Sequence, residues 1–132
     1  MGHFATGVTV VTTRLGEELW GMTANSVLSV SLDPPLMLVS VDLRNRIHKF
    51  LTESKYFAIN ILTAEQESIS NRFASPGPKD FSGIALKEAE TGAPIFAEAL
   101  AYLDCRLVEV VSGGDHDMFM GEPVAGESRE GE

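Results

Sequence analysis

The chain has 132 residues, 44% of them hydrophobic and 22% charged, the balance of one ordinary globular domain with room for a single core. Nineteen acidic residues against ten basic ones leave a formal charge of -9; the basic residues are scattered, so a phosphate-backbone footprint is missing and nucleic acid is not an expected partner. No apolar run is long enough to span a bilayer, no leader pattern is visible and Cys105 is the only cysteine, so the expectation is a cytoplasmic protein without a disulfide or a membrane anchor.

Val8 to Arg14 and Leu19 to Thr23 are β-rich runs separated by Leu15-Gly16-Glu17-Glu18, and they are expected to pair as an antiparallel hairpin. Thr23-Ala24-Asn25-Ser26 then interrupts the apolar pattern with hydroxyls, an amide and small side chains. From Leu28 to Leu32 the alternation places Leu28, Val30 and Leu32 on one face and Ser29 and Ser31 on the other, the period of a half-buried strand. Asp33-Pro34-Pro35 stops it, because proline supplies no N–H to a ladder. Leu36 to Val41 is almost uninterruptedly apolar, which predicts a central strand buried on both faces.

After the polar connection Asp42 to Asn45, the spacing of Ile47, Phe50 and Leu51 predicts a short helix with Asn45 as its N-cap. Tyr56 to Leu62 alternates as a strand, with Phe57, Ile59 and Ile61 opposite Ala58 and Asn60. Thr63 followed three residues later by Gln66 matches a capping box and opens a helix carrying Ile69 and Phe73 on one side, ended before Pro76-Gly77-Pro78. Lys79 to Gly92 has poor periodicity and reads as a long surface excursion anchored by Phe81. Ala93 to Ala99 is weakly patterned, Tyr102 to Val111 predicts a long strand, Ser112-Gly113-Gly114-Asp115 a turn, and Met118 to Val124 a last strand before a fraying tail from Gly126. Many antiparallel strands, two short helices and no strand-helix repeat predict a mainly β barrel forming one domain over residues 1–132.

The chain contains no GxGxxG, P-loop, HExxH or GxSxG pattern. His3, His48 and His116 lack ligand spacing, and the carboxylates of Asp115 and Asp117 point away from a shared centre with His116 in a turn, so no metal is expected. Taken as spacings alone, Thr23 to Ser26 reads better as a polar bulge or turn than as a site, Arg44 and Arg46 read as solvated helix-start residues before phosphate clamps, and Arg72, Lys79 and Asp80 fit simple exposed surface.

Five segments in order carry a more specific signal: FATGVTVVTT (Phe4 to Thr13), GMTANS (Gly21 to Ser26), SVSLDPPLMLVSVD (Ser29 to Asp42), NRFAS (Asn71 to Ser75) and GGDH (Gly113 to His116). Together they resemble the flavin reductase family, the small reductase components of two-component flavin monooxygenases. The resemblance implies an antiparallel FMN-binding split β-barrel, a homodimer, and hydride transfer from NADH or NADPH to FMN, FAD or riboflavin, with reduced flavin passed to an oxygenase. It places Thr23, Ala24, Asn25 and Ser26 against the isoalloxazine ring. The ribityl phosphate end falls to Ser40, Val41, Asp42, Asn45, Arg46 and Ile47, while Phe73, Ala74 and Ser75 close the pocket with Lys79, Asp80 and Phe81. His116 falls on the nicotinamide side. Ile47 stands where a hydroxyl residue is common in the family, and Asn45 is the group placed to compensate.

The absence of a catalytic triad agrees with this resemblance, since a flavin brings its own redox chemistry and needs orientation and electrostatics from the protein. Family members usually begin with a helix before the first segment and end with a further aromatic-rich strand, so the domain is expected to lack both. Two other readings follow from the same residues: a flavin-binding module without turnover, and a haem-binding or structural relative in which His48 and His116 are the candidate ligands.

Overall fold

The structure, a computed structural model, describes residues 8–24, 27–75 and 80–128. Among the described residues are nine strands: β1 (Thr9–Leu15), β2 (Glu18–Ala24), β3 (Val27–Leu32), β4 (Pro35–Asp42), β5 (Tyr56–Ile61), β6 (Leu86–Lys87), β7 (Ile95–Phe96), β8 (Ala101–Gly113) and β9 (His116–Ser128). The described residues also form two helices, α1 (Ile47–Ser54) and α2 (Glu67–Ala74), α2 entered through a 3-10 turn at Ala64–Gln66. Seven strands form one antiparallel sheet in the order β2-β1-β5-β8-β9-β4-β3, and β6 pairs with β7 alone.

The sheet's two outer strands, β2 and β3, are consecutive in the chain, separated only by residues 25 and 26. Three peptide steps reach about 11 Å at most, so the sheet must curl until its ends approach. The core agrees: Met22 and Ala24 from one end share a cluster with Met37, Val39 and Val41 from the other, together with Phe57, Cys105 and Phe119 from between them. Helix α1 fills that interior with Ile47, Phe50 and Leu51. No β2–β3 ladder is formed among the described residues, which leaves the roll open along one seam.

A second apolar cluster lies on the other face of β1, where Val10 meets Leu62, Phe73, Phe96 and Ala99 with Ile69, Phe81 and Ile84 around them. Phe81 is the anchor of its segment as expected, with its ring 4.9 Å from Phe73 and 6.4 Å from Phe96. Buried polar groups fix the remainder of residues 80–96. The Asn60 amide donates to the Val10 carbonyl and the Thr12 hydroxyl and accepts from the Phe96 N–H, while Thr12 donates to the Pro94 carbonyl. Asp104, fully buried, accepts from the N–H groups of Glu90 and Thr91 and from the Thr91 hydroxyl.

Both expected hairpin turns form, with Gly16 at φ 63 and Gly114 at φ 78, the left-handed backbone that such two-residue connections require. The capping box also forms: Thr63 N–H donates to Gln66 Oε1 at 2.8 Å and the Thr63 side chain accepts from the turn's backbone.

Three expectations are corrected. Leu28, Val30 and Leu32 are exposed at 59%, 46% and 88%, because β3 is an edge strand and a bulge between Ser29 and Ser31 breaks its alternation. Strand β4 is not central; it lies between β9 and β3 and buries only Met37, Val39 and Val41, so one face remains half-exposed. The strand buried on both faces is β5, from Phe57 to Ile61. Finally, the tail does not fray at Gly126: Gly126, Glu127 and Ser128 pair with Leu103, Tyr102 and Ala101.

Candidate functional site

Three groups of the residues singled out above are linked one to the next, β2 with α2, the β4–α1 connection and the β8–β9 turn. In the first, the Thr23 hydroxyl donates to the Ser70 carbonyl at 2.6 Å, holding α2 and its last residues Phe73, Ala74 and Ser75 against β2. Gly21 permits this approach, since a Cβ there would lie 3.0 Å from the Phe73 ring. Ala24 and Phe73 are buried, whereas Ala74 and Ser75 are exposed. Asn25, Ser26 and Lys79 lie outside the described residues.

The second group is the connection from β4 to α1. Asn45 Oδ1 accepts from the Ile47 N–H at 3.0 Å and the Asn45 carbonyl accepts from His48 N–H at 2.9 Å, so Asn45 does the work of a cap even though Arg46 is the first flanking residue of the helix. Val41 and Ile47 are fully buried and can offer a ligand only backbone. Ser40 and Asp42 point to the half-exposed face of β4. Arg44 donates to Asp42 through Nε at 3.1 Å, Nη2 at 2.9 Å and its backbone N–H at 2.8 Å. That clasp holds Asp42 well below the usual carboxylate range and raises Arg44. Arg46 makes no such clasp; its guanidinium sits 5.2 Å above the Trp20 ring.

The third group is the turn between β8 and β9. His116 is the register partner of Asp42 across β4 and β9, and Leu43 N–H donates to the Asp115 carbonyl. The His116 ring is 40% exposed, with Nδ1 2.8 Å from Asp115 Oδ1, and this hydrogen bond lowers the Asp115 pKa. One residue on, Asp117 points to the interior and lies 2.7 Å from Nε2 of His48, whose ring stands edge-on to Phe119 at 5.2 Å. The turn and the loop are therefore stapled twice.

The groups are linked, since the Asn45 amide reaches Met22 Sδ at 3.6 Å. An open cavity of about 410 Å³, lined by Lys87, Phe96, Tyr102 and Glu127 among others, lies at the opposite ends of β8 and β9 and contains none of these residues. Among the described residues no cluster of His, Cys, Asp and Glu is arranged to hold a metal, and no helix is long and apolar enough to cross a membrane. Trp20 escaped the sequence reading, and Asp117, which the sequence offers only as a flank of His116, takes its role from His48. Each acts through a partner distant in sequence, which neither spacing nor composition marks.

Chemically, the three groups offer an exposed imidazole, an uncommitted guanidinium, exposed small residues and loop backbone. The lone thiol, Cys105, is not an activated nucleophile: it is buried and pushed up to about 12 by that burial, with Asp104 adding to it. Such an arrangement suits binding and orienting a ligand that carries its own reactivity.

Comparison with known proteins adds a family. The flavin reductase like domain model matches residues 1–132. A probable flavin reductase of Rhizobium meliloti is 40% identical over 129 residues, covering 96% of this chain and 41% of that protein. The reductase component of a 4-nitrophenol 4-monooxygenase/4-nitrocatechol 2-monooxygenase from Rhodococcus opacus is 38% identical over 131 residues, 99% of this chain and 70% of its own length. The chain thus spans roughly two fifths to seven tenths of these curated relatives. Among solved structures, the NADH:FAD oxidoreductase of Streptomyces globisporus in complex with NAD and FAD fragments superposes with a TM-score of 0.89 at 40% identity, covering 96% of this chain and 76% of that one. With the rolled antiparallel sheet and the ordered segments in place, the chain belongs to the flavin reductase-like family.

Proposed function

We propose that this chain oxidises NADH with a free flavin, FMN or FAD, and delivers the reduced flavin to an oxygenase component. The observation that carries the reading is the chain of contacts that links β2 and α2 to the loop 42–46 and that loop to the His116 turn. Relatives described as an NADH-dependent FAD reductase and as an FMN reductase (NADH) support it. When bound, the flavin accepts the hydride and a proton and NADH leaves as NAD⁺.

The chain's own residues supply position and field. In this reading Thr23 and Ala24 lie on the ring side, with Asn25 and Ser26 assigned there by the resemblance alone, and Phe73 is a packed core residue while the exposed Ala74 and Ser75 lie at the opening, to which the resemblance also assigns Lys79. Backbone of Ser40, Val41 and Ile47, with Asn45 and Arg46, takes the phosphate end; Asp42 serves indirectly, by occupying Arg44. A guanidinium suits that task because its planar fork presents two donors to one phosphate. His116, oriented by Asp115, stands on the nicotinamide side. Its exposure leaves it able to meet a second substrate, and hydride transfer requires that substrate stacked close to the ring.

Purified protein mixed with NADH and FMN or FAD tests this by loss of the NADH absorbance band, which requires all three components. Bound flavin without NADH loss would instead assign a flavin-binding module. Neither binding nor oxidation overturns the reading. We further read the chain as a cytoplasmic homodimer, supported by the exposed apolar residues Leu28, Leu32, Val108 and Val110 along two open strand edges.

A further inference from the structure

The arginines of this acidic chain are almost all committed to oxygen atoms. Among the described residues, Arg14 pairs with Glu88 at 2.9 Å, Arg44 with Asp42 at 2.9 Å and Arg106 with Glu122 at 2.5 Å, while Arg72 donates to the carbonyls of Asp80 and Ser82. Arg46 alone among the described arginines has no such partner. Its neighbour Arg44 takes both oxygens of Asp42, and Arg46 rests on the face of Trp20, 5.2 Å from the ring centroid.

Trp20 is itself held tightly. It is 8% exposed and stacked on Phe50 of α1, with centroids 5.1 Å apart and planes 26° from parallel. For burial alone, tryptophan is a poor choice here, because its indole N–H is buried without an acceptor. Stranding a buried donor forfeits its hydrogen bond to water, a penalty that phenylalanine avoids. What the indole adds is the strongest π-face for a cation.

We propose that Trp20 is a positioning residue: its ring is a shelf that keeps the Arg46 guanidinium raised and uncommitted, so that the site prefers phosphorylated flavin over riboflavin. The inference rests on the flavin reading above and adds to it a selectivity with its structural source. Two features of the chain act together, Asp42 removing Arg44 from competition and Trp20 withholding Arg46 from it. With one phosphate-directed cation in place, the difference between FMN and riboflavin falls on Arg46.

The test is equilibrium binding of FMN and of riboflavin, followed by flavin fluorescence without NADH, to wild type, Trp20→Leu, Trp20→Phe, Arg46→Gln and the double variant Trp20→Leu/Arg46→Gln. Wild type is expected to hold FMN more tightly than riboflavin. Trp20→Leu is expected to weaken FMN about three- to tenfold, the range of a partly exposed cation–π contact, and to leave riboflavin within about twofold; Trp20→Phe falls between. Arg46→Gln, a change at an exposed residue, removes the preference, and adding Trp20→Leu to it has no further effect on the FMN-to-riboflavin ratio. Equal losses for both flavins in Trp20→Leu, or an unchanged ratio in Arg46→Gln, overturns the proposal. Wild type that binds both flavins equally defeats the selectivity while leaving the flavin reading intact. Wild type that binds neither defeats the flavin reading and this inference with it.

Discussion

Cys105 shows how one side chain is silenced by its surroundings. It is fully buried in the main cluster beside Phe57 and Phe119, and burial pushes its pKa from 9.0 up to about 12. Since the thiolate is the reactive form, the native protein is expected to resist a thiol reagent at about pH 8 and to react stoichiometrically once urea unfolds it. The linkage has a definite sign: a raised folded pKa means that the folded state retains a proton the unfolded chain releases. Its contribution is complete below 9.0 and is lost as the pH climbs towards about 12. Rapid modification of the native thiol at the lower pH would contradict the placement of Cys105. Other buried polar residues were less legible. Asn60 falls on the polar side of the β5 alternation, yet it is fully buried because Val10, Thr12 and Phe96 satisfy its amide. Those partners lie 50, 48 and 36 residues away, where no local pattern reaches. At the site, the arginine pair was visible in the sequence, but only the Asp42 clasp and the Trp20 ring distinguish the two.

At the scale of elements, local chemistry was a good guide wherever both partners are near in sequence. The two glycine turns, the Thr63–Gln66 box and the α1 spacing all form. It failed where the position of a strand in the sheet decides burial: Leu28 and Val30 alternate as a core face would, but β3 has a neighbour on one side only. The central pairing of β8 with β9 rests on a close approach that the sequence also left unmarked. At Gly121 a Cβ would stand 2.5 Å from Phe57 Cζ and 2.9 Å from Cys105 Cβ, inside any van der Waals distance. Gly121→Ala is therefore expected to destabilise the fold by about 1–3 kcal/mol through overpacking, read as a lower urea midpoint with an unchanged slope. At Gly121 the obstacle is the neighbouring side chains, whereas at Gly83 the surroundings are open and the φ of 79° is what disfavours a side chain, so Gly83→Ala measures a backbone penalty against the packing penalty of Gly121→Ala. Equal midpoints for Gly121→Ala and wild type would show that Phe57 and Cys105 yield without penalty.

The whole molecule presents an apolar row that its own fold does not cover. Leu28 is the partner of Leu38, Leu38 of Met120, and Val111 of Met118 two positions along the same face. Leu28 is 59% exposed and Val111 39%. An edge strand with this composition invites pairing unless something covers it, and a two-fold partner can cover it with the same surface. The expected outcome is that wild type sediments as a dimer at micromolar concentration and that Leu28→Glu/Val111→Glu sediments as a monomer with its secondary structure retained. Salt distinguishes this from a charge-driven association. Each chain carries a formal charge of -9, so two copies repel at long range, and raising the ionic strength screens that repulsion without weakening apolar contact. Dimerisation should therefore tighten as salt is added. A dimer that dissociates in salt would place the interface on ion pairs elsewhere, and a wild-type monomer under all conditions would mean that another partner, such as the oxygenase, covers the row instead.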